Sequence, residues 1–276
     1  MFFNRQGDHH VDWKRFFDSL GMNGTRWQWR IMKWQRQWQQ VKQGEGVANT
    51  DFSISKILLF INLLLFSIMV LRGATQGGGM STLLSPNAEL LVVSGGQWWP
   101  LVIQNNEWWR CITYAYTHAG LIHIGFNMMV LYQVGPQLER EIGPSGFISL
   151  YTLTALAATG LGYFWHPMTV VIGASGALFG MIGFSITYFH RIGGHHALAQ
   201  RDFMIRWAVF AFIFGFMVGA DNAAHLGGAV SGAVFGLVFP IALRTKQALA
   251  PVTNTLAIAS LLATVASLAF LVLSWF

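Results

Sequence analysis

Seven apolar stretches recur along this chain of 276 residues, set apart by charged or glycine- and proline-rich breaks. Each is near the roughly 20 residues that a helix needs to cross a bilayer. They run over about 52–71, 118–138, 145–164, 174–189, 203–218, 222–243 and 254–276. A water-soluble globule has about 25% charged residues; here 10% are charged and 54% hydrophobic, which excludes both that class and disorder. Cys111 is the single cysteine, so no intrachain disulfide scaffold is available. The expected fold class is all-α: a polytopic membrane helical bundle of about seven transmembrane helices.

The charge distribution gives orientation. Counting Lys and Arg on alternate sides of the seven spans puts 15 on one side and two, Arg72 and Arg110, on the other. Nine of the 15 precede or begin the first span, ending at Lys56. By the positive-inside rule the amino terminus is cytoplasmic and the carboxyl terminus extracytoplasmic. The net charge of +6 therefore reads as membrane topology, and no nucleic-acid partner is expected. The first span starts too far along for a cleaved signal peptide.

The chain divides into residues 1–51, a basic Trp-rich region; 52–243, a six-helix core; and 244–276, a linker with a seventh span. The first region carries two apolar stripes at helical spacing, Trp13, Phe16, Phe17 and Leu20, then Trp27, Ile31, Trp34, Trp38 and Val41. Arg26, Arg30, Lys33, Arg36 and Lys42 lie mostly off the second stripe, as in a helix lying in the headgroup plane. A helix pair that binds a partner is the other reading. The loop of about 45 residues between the first two spans is long enough to be structured or functional. Its pairs Trp98-Trp99 and Trp108-Trp109 read as interfacial anchors.

Polar groups inside spans are costly and so mark candidate sites. The second span carries His118, His123 and Asn127, the last two on one helical face. The fourth opens with Gly173-Ala174-Ser175-Gly176, and the sixth has Asp221, Asn222 and His225 before Gly227-Gly228. From Ser175 to Phe189, 15 residues make roughly 22 Å of helix. The hydrocarbon slab is about 30 Å thick, so Ser175 lies several Å below the outer surface. At a helix start it sits among unpaired N–H groups able to stabilise an oxyanion. Gly176 and Gly180 in the fourth span, and Ala224, Gly228, Gly232 and Gly236 in the sixth, allow close packing that would bring His225 toward the serine. An imidazole in reach activates a hydroxyl. The plainer readings are a packing serine and a histidine that bonds a neighbouring helix. A zinc site of His118, His123 and His225 is the other option, with no H-E-x-x-H to support it. His195-His196 and His9-His10 read as solvated loop residues, and the Asn23-Gly24-Thr25 sequon lies on the cytoplasmic side.

These elements resemble the rhomboid intramembrane serine proteases: Trp109-Arg110, the H-x4-H-x3-N run from His118 to Asn127, GPQLER ending at Arg140, Gly173-Ala174-Ser175-Gly176, and Ala224-His225 with Gly227-Gly228. The resemblance covers about 52–243, and the seventh span looks like the addition of a 6+1 subgroup. It implies a rhomboid-like fold with a membrane-associated first loop. It implies Ser175 as nucleophile, His225 as general base, and His123 with Asn127 as oxyanion hole. His118, Asn222, Phe179, Gly173 and Gly176 are implied as supporting residues, Phe179 stacking on His225 and Trp109-Arg110 bracing the first loop. The implied substrates are transmembrane proteins cleaved near the extracytoplasmic face of the cell membrane, with no cofactor and no metal. Asp221, at i−4 from His225, reads as a helix N-cap in preference to a third catalytic member. A rhomboid-like binder of membrane clients and a small transporter are the alternatives from other classes.

Overall fold

The computed structural model describes residues 12–20, 22–42, 53–217 and 220–276, all helices and connections apart from one β-bridge. The chain forms α1 (Trp13–Ser19), α2 (Gly24–Lys42) and α3 (Ile54–Thr75). Four short helices follow in the first loop: α4 (Ser81–Leu84), α5 (Ala88–Val93), α6 (Trp99–Gln104) and α7 (Arg110–Thr113). The remainder is α8 (Leu121–Trp165), α9 (Ser175–Ile192), α10 (Gly194–Met217), α11 (Asn222–Val238) and α12 (Leu243–Leu273). His9-His10 and the expected boundary at 51/52 lie outside the described residues.

α8 holds two of the expected spans. Gly143 breaks it with φ +76°, a conformation that a side chain resists, and Pro144 starts the second half without needing an N–H partner. The second half runs back past the first: the Tyr114 hydroxyl, ahead of α8, donates to the Ala155 carbonyl at 2.7 Å.

Every one of the seven expected segments is helical. Three described helices, α3, α8 and α12, are individually long and apolar enough to cross a membrane, and α11 is a shorter apolar helix. By length and apolarity the described helices thus do not reach the expected seven spans, and α9 and α10 fall short for different reasons. α9 is buried along nearly its whole length, so its surface faces protein rather than lipid and need not be uniformly apolar. α10 starts at Gly194, well before the expected 203, and takes in His195, His196, Arg201 and Asp202. His195 and His196 therefore stand exposed on a helix, not in a loop. The expected linker at 244–253 is likewise helical, as the first turns of α12. Its polar groups find partners there: Lys246 donates to the Glu141 carbonyl and Ser145 pairs with Asn254.

The core is built on α9, α11 and α8. Along α9 and α11 the backbones nearly touch. A Cβ on Gly228 would strike the Gly176 carbonyl, one on Gly232 the Gly180 carbonyl, one on Gly183 the Ala229 carbonyl, and one on Gly236 the Phe184 carbonyl. The amino terminus of α3 is closed from a distance. Ser53 makes no cap of its own, and the buried Glu139 of α8 accepts from Ile54 N at 2.7 Å, Ser55 N at 3.0 Å, and the Ser53 and Ser55 hydroxyls at 2.7 and 2.9 Å.

Candidate functional site

The turn leading into α9 is fixed before its serine is reached. Gly173 has φ +104°, and its N–H donates to the Tyr114 carbonyl at 2.9 Å. A Cβ there would stand 2.6 Å from His123 Nε2, so both conformation and space demand glycine. The Ala174 N–H points at the buried His118 Nε2, 3.4 Å away. Just upstream, Val171 and Gln97 exchange backbone hydrogen bonds at 2.8 and 2.9 Å, tying this turn to the first loop. Ser175 is then the first residue of α9, where the opening N–H groups have no intrahelical acceptors.

A cavity of about 450 Å³ opens at this point. Ser175, His225, His123, Asn127 and Phe179 all line it, as does Asp221. His225, on the first turn of α11, is 4% exposed and stacks on Phe179 with centroids 4.2 Å apart and planes at 15°. Its Nδ1 lies 3.3 Å from Asn222 Oδ1. With a proton on Nδ1 for that acceptor, the lone pair of Nε2 is left available. His123 Nδ1 accepts from the Ala119 N–H at 3.3 Å, which puts the proton of the neutral ring on Nε2, the nitrogen nearest Gly173. Asn127 Nδ2 is engaged by the His123 carbonyl at 2.8 Å.

The implied residues thus gather at one cavity, with two exceptions in detail. No hydrogen bond joins Ser175 to His225 among the described residues, and His118, Gly173, Gly176 and Asn222 are not among the residues that line the cavity. Asp221 has other partners than His225: its Oδ1 accepts from the Ala224 N–H at 3.0 Å, capping α11, and meets His166 Nε2 at 2.7 Å. His166, which follows α8, was not among the residues singled out from the sequence. Nothing in its local pattern marks it, because its partner is 55 residues away. Gly215 of α10 was also missed; a Cβ there would stand 3.1 Å from Asn222 Oδ1 and 3.4 Å from His225 Cε1.

The first loop is braced by Arg110, which is 5% exposed and pairs with Glu107, donates to the Val92 and Gly96 carbonyls, and lies 4.4 Å over the Trp109 ring. Three of the four loop tryptophans that read as lipid anchors make contacts inside the protein. Trp99 is buried edge-on against Tyr163, Trp98 donates to the Met168 carbonyl, and Trp109 carries Arg110; Trp108 is exposed.

Residues 105–275 match the Rhomboid domain family. The chain is similar to Rhomboid protease GluP of Bacillus subtilis, 29% identical over 221 residues that cover 77% of this chain and 39% of that protein. It is similar to Rhomboid protease AarA of Providencia stuartii, 25% identical over 206 residues, 66% of this chain and 72% of that protein. It is also similar to Inactive RHOMBOID-like protein 8 of Arabidopsis thaliana, 28% identical over 159 residues, 57% of this chain and 45% of that protein. The matched region thus spans less than half of GluP and of the Arabidopsis relative. With a domain match over more than half of its length, the chain belongs to the rhomboid family of membrane proteins.

Proposed function

We propose that this rhomboid-family protein is an intramembrane serine endopeptidase that cleaves transmembrane segments near the extracytoplasmic face with a Ser175–His225 dyad. The observation that carries the reading is the cavity on which Ser175, His225, His123 and Asn127 converge at the amino end of α9. In this reading all seven helical segments span the membrane, the amino terminus is cytoplasmic, and the cavity opens outward.

His225 Nε2 takes the Ser175 proton as Oγ attacks the scissile carbonyl, and a tetrahedral oxyanion forms. The N–H groups at the start of α9, His123 Nε2–H and the Asn127 amide are the donors for that charge. His225 returns the proton to the leaving amine, and water then repeats the sequence on the acyl-enzyme. The mechanism needs Ser175 and His225 to close to hydrogen-bond distance when substrate is bound, as is common where catalytic contacts are loose in the free enzyme. A helix hides its carbonyls, so weakly helical substrate segments are favoured.

The test is cleavage of a single-span reporter by purified wild type, Ser175→Ala and His225→Ala, alongside fluorophosphonate labelling. Cleavage and labelling by wild type, with at least about 10³-fold loss in each variant, support the dyad. Equal cleavage by Ser175→Ala sinks it. A second reading, a client-binding protein without proteolysis, has one observation in its favour: Ser175 and His225 are not hydrogen-bonded in the free protein. It expects reporter binding without cleavage in wild type and Ser175→Ala alike.

A further inference from the structure

The proposed chemistry gives no role to the His166–Asp221 pair, although it stands against the site. His166 closes the carboxyl end of α8, its N–H donating to the Gly162 carbonyl at 2.9 Å, and it opens the connection that ends at Ser175. That connection is anchored: the Thr169 N–H donates to the His166 carbonyl at 3.1 Å, and the Met168 carbonyl accepts from the Trp98 indole at 3.1 Å. From this fixed post His166 Nε2 reaches Asp221 Oδ1 at 2.7 Å, the oxygen that also accepts from the Ala224 N–H. An ionised carboxylate only accepts, so the bond puts a proton on His166 Nε2. Neither His166 Nδ1 nor Asp221 Oδ2 has a hydrogen-bond partner among the described residues, so no second contact takes over when this one is lost.

What the pair holds is the turn that carries the base. The glycine contacts of α11 begin at Gly227, against Leu161 and the Ala157 carbonyl of α8, and at Gly228, against the Gly176 carbonyl of α9. Asn222 to His225 lie ahead of them on the opening turn, where a helix lacks acceptors for its own N–H groups and frays most readily. Asp221 grips that turn twice: its side chain caps the Ala224 N–H, and its carbonyl accepts from the His225 N–H at 3.1 Å. A shift of Asp221 therefore carries His225 with it. In the proposed mechanism Ser175 and His225 must close to hydrogen-bond distance, and misplacing reacting groups by about 1 Å costs up to about 100-fold in rate. Asp221 lines the cavity and His166 does not, so any effect of His166 on the reaction passes through Asp221.

Resting on the protease reading, we propose that His166 is a positioning residue: by holding the capping carboxylate of Asp221 it fixes the opening turn of α11, and so the place where His225 Nε2 meets the Ser175 hydroxyl. The bond ties the connection that delivers the nucleophile to the helix end that delivers the base. His166 touches no substrate, so its loss lowers turnover and leaves substrate binding unchanged.

The test is cleavage of the single-span reporter by the detergent-purified full chain, resolved into kcat and KM, with the rate of fluorophosphonate labelling as a separate measure of Ser175 reactivity. His166→Phe keeps a ring but has no N–H; it should lower kcat and the labelling rate about three- to tenfold and leave KM within about twofold. His166→Gln offers an amide N–H close to the place of Nε2 and should return both rates to within about twofold of wild type. Asp221→Ser reads the same bond from the other side, should His166→Phe fail to fold: serine still caps the helix but is too short to reach the imidazole. It should match the loss expected of His166→Phe, and the double variant should be no slower than either. Wild-type kcat in His166→Phe or in Asp221→Ser, an equal loss in His166→Gln, or a double variant whose loss is the product of the two overturns the proposal. A wild type that neither cleaves nor labels sinks the protease reading and this proposal with it; a wild type that does both leaves that reading standing, whatever the His166 variants do.

Discussion

The α9–α11 seam and α12 are both helical packings in one bundle, yet opposite means hold them. In the seam, glycines remove the side chains and the two backbones approach until a carbon added at Gly183, Gly228 or Gly232 collides with a carbonyl of the facing helix. In α12 the protein-facing stripe is Ala250, Ala257, Ser260, Thr264, Ser267 and Leu271, while Leu261, Leu262, Val265 and Phe270 face outward. Its ends are clipped by polar contacts: Ser145 to Asn254, Lys246 to Glu141, and the Trp275 indole donating to the Val93 carbonyl at 2.9 Å beneath Arg72. The difference teaches where precision is needed. The seam carries Ser175 and His225 on facing helices, so its spacing sets the candidate site; α12 packs on α8 and the first loop and gives no residue to the cavity lining.

The sharpest way to break this contrast is to enlarge one residue on each side. Gly232→Leu should cost about 3 kcal/mol or more, enough to remove the monodisperse folded protein in size-exclusion chromatography. Val265→Leu on the outer face of α12 should shift stability by no more than about 0.5 kcal/mol. If both behave alike, the close approach in the seam is not what holds the bundle. Glu139→Ala comes next: it leaves the first N–H groups of α3 without their buried acceptor, and should lower stability by about 3 kcal/mol in a denaturant titration.

Smaller effects sharpen the comparison. Trp275→Ala removes both the cation–π contact with Arg72 and the bond to Val93, a loss of about 1–2 kcal/mol. Its expected mark is faster proteolysis of the first loop with little change in the melting of the α9–α11 core. Smallest of all is Asp221→Asn, since asparagine caps a helix nearly as well as aspartate. Stability should fall by about 1 kcal/mol or less through the lost His166 pair, and reporter cleavage by under about tenfold. A drop near 10⁴-fold would make Asp221 a third catalytic member.

Much of this was legible along the chain because the physics behind it is local. Apolar runs mark helices, and glycines four apart mark a seam. An aspartate ahead of a small-residue helix marks a cap, and Asp221 is one. What could not be read depends on partners far apart in sequence. Glu139 lies in GPQLER, which reads only as a polar helix end until α3 arrives against it. His166 gains meaning only from Asp221, and Trp99 reads as a lipid anchor until Tyr163 covers it. Helix limits also ran past the apolar stretches at α10 and α12, since a charged helix end that finds partners can continue beyond the apolar run. The same reasoning explains α9: it is less apolar than α3 or α12 because its neighbours are helices, and it is buried along nearly its whole length.

The cap that Glu139 places on α3 also has a consequence in time. Ile54 and its acceptor are 85 residues apart in the chain. At about 5–20 residues per second, a ribosome needs roughly 4–17 s to deliver the carboxylate after the helix it closes. For that interval the first helix of the core exists with an unfinished end, and its completion waits on the segment that follows the first loop.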